Sequence, residues 1–459
     1  MAKLWGGRFK KKIDPDFEAF SASLETDRRL LPYDLQIDAA HVKALKKCGV
    51  LTAGEAARFR KAILVLQNEH RAGKLKLDEG QEDVHSAVQA LLKTMLGDLA
   101  DKLHTGRSRN DLVSQSARLY CLEHTKNIAA QISGLQRALV QKADDYRDLL
   151  VPGMTHLQNA QVVSQAHILL AYVEMLDRAR SLFLGSIPLH SVCVLGSGAL
   201  AGTTFALDQK LLARELGLSR ITNNSYDVSG DRAFVLDFLH CALSAGLALS
   251  RIAEDLMIAQ TKTFGLADID ESLCTGSSMM PQKKNADFAE LARGAVSILG
   301  SNFQGMTLLV KGLPTSYNRD LQWDKRYLFS SAETLEKLLA IFTTLARTLE
   351  YDRDRAAELL RDESLYATDL ADYLVKRGVA FKTAHEQVGA LVSFAEDNHV
   401  ALSKVGLDII RRFAPEADGT VYALFDAKNS VRLKKTQGST NPDEIAKQIA
   451  RWKRELARA

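Results

Sequence analysis

The amino-acid sequence predicts a mainly α-helical fold, and two observations carry that prediction. Only eight prolines occur, and the proline-free windows 33–151 and 189–280 leave room for long, uninterrupted helices. Patterns typical of strands are almost absent, apart from a short candidate near Val192–Leu195. A chain of 459 residues exceeds one ordinary hydrophobic core. We therefore expect an all-α protein with three domains, at 1–106 (short helices), 107–352 (a central bundle of long helices) and 353–459 (short helices).

Composition places the chain among ordinary globular proteins. Hydrophobic residues make up 46% of it and charged residues 25%, and the net charge of +4 is too small to predict nucleic acid or an anionic membrane as a partner. The longest nearly apolar run, Phe238–Leu249, is too short to span a bilayer. The basic runs at 10–12 and 451–454 are interpreted as solvated faces. We expect a cytoplasmic protein with no nucleic-acid or membrane partner.

The cysteines and histidines predict neither a disulfide framework nor a metal site. Five cysteines are scattered and never form a Cys-x-x-Cys pair, and the eleven histidines lack the spacing of zinc ligands. The cysteines are interpreted as reduced thiols, most of them buried.

Short helices joined by polar turns are predicted for the first region. One helix is expected at 34–47 and is closed by Gly49; the capping box Thr52–Glu55 begins the next, which stops near Gly73. The segment Glu82–His85 opens another helix. Its acidic residues either favour the helix dipole or belong to a site, and both interpretations stay open.

A donor-rich turn follows at Thr105–Asp111, ahead of a long helix predicted at 112–145. Two arginines, a serine and an asparagine share this glycine turn, and the guanidinium fork suits a bidentate carboxylate. The segment therefore predicts an anion-binding nest. In the alternative interpretation, Asp111 caps the helix and the arginines are solvated.

Two further breaks interrupt the helical pattern. In Val151–Gln161, His156 lies in a polar loop that leads into another helix, where an imidazole can serve as acid or base. A lone histidine is also common as a satisfied core or surface residue. Gly196–Gly202 has dinucleotide-like spacing, but no βαβ unit surrounds it, so we predict a tight turn.

The most apolar pattern lies at 234–264, where small and aliphatic residues cover most of the helix circumference. Such a helix must be buried, either in the core or against a partner chain. After a polar break at 312–322, leucines mark an amphipathic helix at 335–349. Thr383–Glu386 has the spacing of a second capping box.

The loop Thr275–Asn285 concentrates the most chemistry. Its glycine and two serines form a flexible turn that can expose hydroxyls, with Lys283 and Lys284 beside them. The loop runs into a predicted helix N-terminus, where free N–H groups favour anions. A serine beside lysines there predicts a carboxylate substrate and an activated hydroxyl. The alternative is a surface loop with a capping serine.

Four of these strings resemble one family. GSSMMPQKKN, TGRSRND, the THLQ-x-AQ motif at 155–161 and GSGALAGTTF are similar to argininosuccinate lyases of the aspartase/fumarase superfamily, and the resemblance covers essentially the whole chain. It implies a three-domain all-α subunit whose central helices build the multi-helix core of a homotetramer, with sites shared between subunits. It also implies reversible cleavage of argininosuccinate into arginine and fumarate, without a metal or an organic cofactor.

The resemblance implies a role for each matched residue. Ser277 would remove the Cβ proton as general base, while loop amides and Lys283 stabilise its alkoxide and the substrate carboxylate. His156 would act as general acid toward the leaving guanidino nitrogen, and Glu290 would orient that histidine. The implied substrate contacts are Ser23, Arg109, Asn110, Thr155, Arg232, Asn285, Tyr317, Gln322 and Lys325, followed by Arg107 and Ser108.

The chain departs from the family pattern in places. Where the family usually has proline, this chain has Val162, Val194, Ala206 and Ala286. Gly230 and Ala233 replace a serine and an acidic residue, and Trp323 replaces an acidic residue. Losing prolines loosens loops but removes no chemical group, so we expect effects on affinity rather than on reaction type.

Two alternative functions stay open at this point. Fumarases and aspartases share part of the signature loop, and lens delta-crystallins are non-catalytic relatives. The pairing of the TGRSRND and PQKKN strings favours argininosuccinate as the substrate, and every matched catalytic position is occupied, which argues against a non-catalytic protein.

Overall fold

The structure, a computed structural model, describes residues 11–458, so the basic residue at position 10 lies outside the described residues. Helices, with the short 3-10 helices included, account for 69% of the described residues. Residues 11–458 contain eighteen α-helices and six short strands. The all-α prediction is therefore confirmed.

The elements follow one another in this order. The first part contains α1 (Pro15–Ser21), α2 (Leu24–Asp27), α3 (Leu31–Lys47), α4 (Ala53–Arg71), α5 (Val84–Leu96) and α6 (Arg109–Asp145). The middle part contains β1 (Leu150–Thr155), β2 (Gln158–Ser164), α7 (Gln165–His190), β3 (Val192–Cys193), α8 (Gln209–Glu215), β4 (Arg220–Ile221), α9 (Ser225–Gly230) and α10 (Ala233–Gln260). The last part contains β5 (Ala267–Asp268), α11 (Asp287–Val310), α12 (Asp324–Thr348), β6 (Glu350–Tyr351), α13 (Arg353–Leu359), α14 (Ala367–Lys376), α15 (Phe381–Asp397), α16 (Leu407–Phe413), α17 (Ala427–Leu433) and α18 (Pro442–Leu456).

Local signals explain where several helices begin and end. Thr52 and Glu55 form the predicted capping box of α4, in which each side chain accepts from the other residue's backbone N–H. Gly49 follows α3 with a φ of +83°, a left-handed conformation that suits glycine. The second predicted capping box is wrong, because α15 begins at Phe381 and Thr383 lies inside the helix.

The strands form three separate two-stranded sheets. Strands β1 and β2 pair antiparallel, β3 and β4 parallel, and β5 and β6 antiparallel. The short strand at Val192–Cys193 confirms the candidate found in the sequence. The break in the helical pattern expected at Val151–Gln161 is confirmed, and His156 lies in a turn there. The segment does not lead directly into a helix, because its flanks form the β1–β2 hairpin, which the sequence did not predict.

The described chain divides into two compact units that alternate along the sequence. The first unit comprises Met1–Ile128, Leu182–Leu243 and Ile298–Thr334, and the second comprises Ala129–Ser181, Ser244–Ser297 and Leu335–Ala459. Each long helix therefore contributes residues to both units. The two domain boundaries expected from the sequence, after residues 106 and 352, stay a prediction.

Long helices pack side by side within each unit. In the first unit, the rings of Tyr120 (α6) and Phe329 (α12) lie 4.6 Å apart between centroids. In the second unit, Gln136 (α6) donates from Nε2 to Val173 O (α7) at 3.1 Å, deep in the core. The expected central bundle of long helices thus has interlocking contacts in both units.

Helix α10 is the most apolar helix of the described chain. Among residues 11–458 it alone has the length and apolar composition of a membrane span, yet 56% of its most apolar stretch is buried within the protein. Core helices commonly share these properties. Leu247 on this helix is still 52% exposed. Part of the apolar surface of α10 is therefore buried within the chain, and part of it stays exposed.

Candidate active site

The loop Thr275–Asn285 belongs to the second unit and is closed at its base by two backbone hydrogen bonds. Thr275 N–H donates to Asn285 O at 3.1 Å, and Asn285 N–H donates to Thr275 O at 2.8 Å. Lys284 is held by Asp268, with 2.7 Å between Nζ and Oδ1. The loop leads directly into α11, as the sequence predicted. Its two ends are therefore fixed to the scaffold.

Ser277 is the residue whose hydroxyl this loop holds. Its Oγ accepts hydrogen bonds from Met279 N–H at 3.3 Å and Met280 N–H at 3.1 Å. Donors aimed at an oxygen stabilise the charge that it carries once deprotonated. Met279 is 87% exposed, so the loop tip is open to a ligand. Neither serine of the loop caps a helix, because α11 begins only at Asp287.

The remaining candidates of this segment differ in exposure. Lys283 and Glu290 are exposed, and Asn285 is half-buried. Glu290 lies in the first turn of α11. Among the described residues, no hydrogen bond joins Glu290 to His156, so its role as orienting partner stays a prediction.

His156 occupies the turn of the β1–β2 hairpin, also in the second unit. His156 and Leu157 have φ angles of +52° and +59°, and Thr155 pairs with Gln158 across the turn. Positive φ at both central residues is the geometry of a type I′ turn, which glycine and asparagine prefer. Strained backbone of this kind concentrates at functional sites. The imidazole is exposed at the hairpin tip.

The C-terminal helices hold this hairpin in place. Val162 on β2 is fully buried in a cluster with Leu365, Tyr366 and Val431. At the end of the strand, Ser164 N–H donates to Thr440 Oγ1 at 2.7 Å. A region that carries none of the candidate site residues therefore supports His156. It also explains the first departure from the family pattern, since Val162 fills a packed core.

The arginine-rich turn lies in the first unit and heads α6. Ser108 Oγ accepts from Asn110 N–H at 3.2 Å, and Asp111 Oδ1 accepts from Ser108 N–H at 2.9 Å, which is a reciprocal helix cap. Asp111 Oδ2 also accepts from Gly196 N–H and Gly198 N–H, at 3.2 and 2.9 Å. Burial raises the pKa of Asp111 to about 6. Asp111 thus joins the nest to the predicted glycine turn.

The two arginines of the nest have different environments. Arg107 is 4% exposed along its side chain and forms an ion pair with Asp38, 2.6 Å from Nη1 to Oδ1. Arg109 is half-buried; its Nη2 donates to Ser86 Oγ at 3.0 Å and its Nη1 lies 3.3 Å from Asp83 Oδ1. The alternative of solvated arginines is wrong. Arg109 is the better placed of the two to meet a ligand.

A buried ion cluster forms the other half of the first-unit site. Asp324 accepts from Arg232 Nε at 2.5 Å and from Lys325 Nζ at 2.9 Å, and all three side chains are almost completely buried. Burial alone would raise the pKa of Asp324, but Lys325 and Arg232 outweigh it and hold that pKa below its ordinary value. The buried carboxyl of Asp27 also acts on Lys325, so two cations face two acidic side chains. Arg232 Nη2 has no hydrogen-bond partner among the described residues and is a donor that an anion could accept from.

Ser23 and Gln322 belong to two segments that adjoin this cluster, through Asp27 and Lys325 respectively. Ser23 Oγ donates to Asp27 Oδ2 at 2.5 Å, and Gln322 Nε2 donates to Ser21 O at 2.9 Å. The charge of Lys325 acts on the buried carboxyl of Asp27, whose pKa burial raises. The contact from Gln322 ties the Ser23 segment to the turn before α12.

Two of the three carboxylates beside the candidate residues were not considered in the sequence analysis. Asp27, Asp83 and Asp324 each neutralise or position a predicted residue; a site role had stayed open for Asp83, within Glu82–His85, but not for Asp27 or Asp324. A usable signal existed, because a buried arginine or lysine requires an anionic partner. Asp324 directly precedes Lys325 in the sequence.

Two of the departures from the family have visible consequences. Val194 is buried and its N–H donates to Gln115 Oε1 at 2.8 Å, a bond that proline could not make. Trp323 packs against Phe20, with ring centroids 5.8 Å apart, and under the guanidinium of Arg326. Both replacements are integrated into the local packing.

The predicted residues thus fall into two sets, one in each unit. The first unit holds Ser23, Arg107, Ser108, Arg109, Asn110, Arg232, Tyr317, Gln322 and Lys325. The second unit holds Thr155, His156, Ser277, Lys283, Asn285 and Glu290. Within the described part of the second unit, no hydrogen bond links the hairpin turn to the signature loop.

Comparison with known proteins gives the class and then the family. Residues 7–300 match the sequence profile of a family described as lyase, which together with the all-α fold and the signature loop defines the class. Residues 364–432 match the profile of the argininosuccinate lyase C-terminal region. The argininosuccinate lyase of Desulforudis audaxviator is 39% identical over 100% of both chains. That of Caldanaerobacter subterraneus is 41% identical over 95% of this chain and 99% of the relative. The chain belongs to the argininosuccinate lyase family.

Solved structures support the same superfamily fold. EDDS lyase in complex with formate has a TM-score of 0.81 and 25% identity, over 98% of this chain and 91% of that chain. A class II fumarase from Schistosoma mansoni has a TM-score of 0.74 at 16% identity, over 87% and 90% of the two chains. The latter likeness concerns the fold alone.

Proposed function

We propose that this protein catalyses the reversible elimination of argininosuccinate to arginine and fumarate, the last step of arginine biosynthesis. The observation that carries the proposal is the Ser277 hydroxyl held by two backbone N–H groups in the signature loop. It occurs in a chain that matches argininosuccinate lyases along its whole length. The reaction needs a base beside a carboxylate-binding region, and this loop supplies a hydroxyl oxygen, amides and a lysine together.

The chemical steps assign a part to each candidate of the second unit. Ser277 reacts as its alkoxide, which the N–H groups of Met279 and Met280 stabilise; its Oγ takes the Cβ proton of the succinyl group, and the electron pair moves toward the adjoining carboxylate. Lys283 and the loop amides stabilise the negative charge that develops there. The Cα–N bond then breaks, and His156 donates a proton to the leaving guanidino nitrogen. Fumarate and arginine result, and Ser277 is left as a hydroxyl while His156 has given up one proton; exchange of one proton with solvent at each residue restores the starting state.

The candidates of the first unit supply binding. Arg109 offers a guanidinium fork to a carboxylate, and Asn110 adds an amide donor. The cluster of Arg232, Asp324 and Lys325, with Asp27 acting on Lys325, places two cations in a buried setting, where charge attracts more strongly than in water. Tyr317 completes this set from the adjoining turn. The substrate's two succinyl carboxylates fit such a surface.

We also propose a homotetramer whose active sites combine segments from three subunits. Large apolar side chains stay exposed on the long helices, a surface that a monomer rarely leaves to water. These residues are Leu182, Leu184, Leu189, Leu247, Leu291, Ile298, Leu308 and Ile341. Packing them against sister helices buries that surface and can bring separate segments together.

The test is fumarate release from argininosuccinate, with malate and aspartate as alternative substrates. We expect fumarate from argininosuccinate alone. Equal or faster release from malate would move the assignment to a fumarase. Ser277→Ala should lower turnover on the order of 100-fold or more with substrate binding near normal, since a base acts in the transition state.

Ser278→Ala is the matched control, because that serine is exposed on the same loop. It should be much milder than Ser277→Ala. An inactive Ser278→Ala beside an active Ser277→Ala would show that the base is the other serine.

A further inference from the structure

The turn that carries Tyr317 has an unusual backbone. Ser316 has a φ of +71°, in the left-handed region that side-chain-bearing residues rarely adopt. The residue is 9% exposed, and its Oγ has no hydrogen-bond partner among the described residues. Asn318 closes the turn by donating from Nδ2 to Pro314 O at 3.0 Å and to Ser316 O at 3.3 Å. A costly conformation of this kind persists only where the surroundings hold it.

The surface that holds it is Gly230, the last residue of α9. A Cβ placed on Gly230 would stand 2.2 Å from Ser316 O, 2.5 Å from its carbonyl carbon and 2.8 Å from its Cα. These are backbone atoms, so no change of rotamer could relieve the overlap. The backbone at Gly230 is itself helical, which any residue tolerates. Glycine is therefore required here by the close approach of Ser316.

The contact lies between two parts of the binding region. Tyr317 follows Ser316 directly, and Arg232 follows Gly230 by one intervening residue. Tyr317 is half-buried. Burial raises the pKa of its hydroxyl, and the nearby charges of Lys325 and Arg232 act to lower it. The separation of the two backbones at Gly230 and Ser316 therefore sets how closely the phenol approaches the ion cluster.

We propose that Gly230 is a positioning residue that seats Tyr317 against the Arg232–Lys325 cluster by leaving room for the Ser316 carbonyl. This inference rests on the proposed function and deepens it, because it concerns the part of the same site that binds the substrate. Glycine replaces the serine usual in the resembling family.

The experiment compares Gly230→Ala with Gly54→Ala. Both glycines lie in helices, and a Cβ on Gly54 meets nothing within 4 Å. In Gly230→Ala the Ser316 turn must shift, so kcat/KM for argininosuccinate should fall roughly tenfold to 100-fold, chiefly through KM. Gly54→Ala should keep wild-type constants. A Gly230→Ala enzyme with wild-type KM would overturn the proposal.

A double-mutant comparison separates positioning from general damage. If Gly230 acts through Tyr317, then adding Gly230→Ala to Tyr317→Phe should raise KM little beyond Tyr317→Phe alone. Fully additive losses would contradict the proposal. Ser316→Gly adds no atom and suits the left-handed φ, so it should keep KM near the wild-type value; a KM raised as much as in Gly230→Ala would count against the proposal. If Gly230→Ala folds poorly, Tyr317→Phe alone still tests the seating, because a wild-type KM in that variant would overturn the proposal.

Hydrogen exchange, which does not depend on catalysis, tests the seating of Tyr317 separately from the proposed reaction. If the wild type releases no fumarate from argininosuccinate, the proposed function fails by itself. The seating is then measured by hydrogen exchange of the amides at 315–318. These should exchange faster in Gly230→Ala than in Gly54→Ala, and equal rates would overturn the seating.

Discussion

His156 combines an exposed imidazole with a backbone that its residue type does not favour. Both central residues of the hairpin turn have positive φ, where asparagine or glycine is accommodated at lower cost. The presence of a histidine that lowers stability at this position is explained more readily by a role in a reaction than by a role in folding. The observed strain therefore supports a functional interpretation of this histidine.

Replacing the histidine should accordingly affect stability and activity in opposite directions. We expect His156→Asn to raise the free energy of unfolding by about 0.5 kcal/mol, because asparagine tolerates the left-handed region. Turnover should fall on the order of 100-fold through loss of the general acid. Urea unfolding and the fumarate assay measure the two effects.

His399 offers a matched control for this experiment. It is exposed, has a φ of +53° and lies outside the candidate site. His399→Asn should gain similar stability and keep full activity. If His156→Asn kept wild-type turnover, another group would have to be the acid.

Dense local strings of sequence led to the candidate hydroxyls and cations, whose roles stay a prediction, whereas the carboxylate partners that lie far away in sequence have no local signal. Ser277 and Arg109 stand in dense local strings, so a short window suffices to find them. Asp324 meets Arg232 across 92 positions of sequence, and nothing local indicates that encounter. Acidic residues near helix starts also have an ordinary explanation in the helix dipole.

Helix α3 presents a buried stripe of polar side chains, which a hydrophobic pattern alone would place in solvent. Asp34 lies 2.7 Å from His85, from Oδ1 to Nδ1, and Asp38 pairs with Arg107. His41 Nε2 lies 3.0 Å from Thr105 O. The stripe therefore supports the turn that heads α6. The titratable side chains of this stripe also make the free energy of unfolding depend on pH.

The clearest pH effect belongs to His41. Burial first, and then the charge of Arg107, lowers its pKa from 6.5 to about 3. Below about pH 6.5 the unfolded chain binds a proton that the folded chain rejects, so stability falls with acidification at up to about 1.4 kcal/mol per pH unit. This loss of stability is absent above the pKa that His41 has in the unfolded chain. It continues as the pH falls toward the pKa that His41 has in the folded chain.

Comparison with His41→Gln isolates this contribution. Glutamine keeps a donor for Thr105 O but binds no proton. Between about pH 7.5 and about pH 5.5, the wild type should lose roughly 1.4 kcal/mol more unfolding free energy than the variant. Asp38 and Asp111, whose pKa values are raised, act in the opposite direction in both proteins. The exposed His385→Gln is the control and should follow the wild type; an identical pH slope in His41→Gln would refute the assignment.

The hairpin could not be predicted because its support is distant in sequence. Its first strand contains Pro152 and Gly153, which weaken a strand pattern. The packing that stabilises it comes from Val431 and Thr440, far along the chain. Helix boundaries with local caps, such as Thr52 at α4, were predictable for the converse reason.

The distribution of candidate residues over the two units gives a test of assembly. Arg109 lies in the first unit and His156 in the second. If each active site takes these segments from different subunits, two inactive proteins can restore each other. Arg109→Ala and His156→Asn should therefore regain activity when mixed after reversible dissociation.

The expected recovery follows from random assembly. A site needs an intact nest and an intact hairpin, each present with a chance of about one half, so about a quarter of the sites should be active. Sites built within one chain would recover nothing, because every chain carries one defect. Verified hybrid tetramers without activity would therefore reject the shared site. Unmixed parents taken through the same treatment are the control.

The two hydrogen bonds at the base of the Thr275–Asn285 loop have a consequence for its length. The fold can accept a longer loop, whereas the reaction cannot. Lengthening a loop whose ends are fixed is thermodynamically cheap, since even a doubling costs only about 0.6 kcal/mol of closure entropy. An insertion after Ser277 would nevertheless carry the amides of Met279 and Met280 away from the serine oxygen. Folding therefore sets almost no limit on the length of this loop. The limit comes from the need to keep one oxygen within hydrogen-bonding distance of two amides.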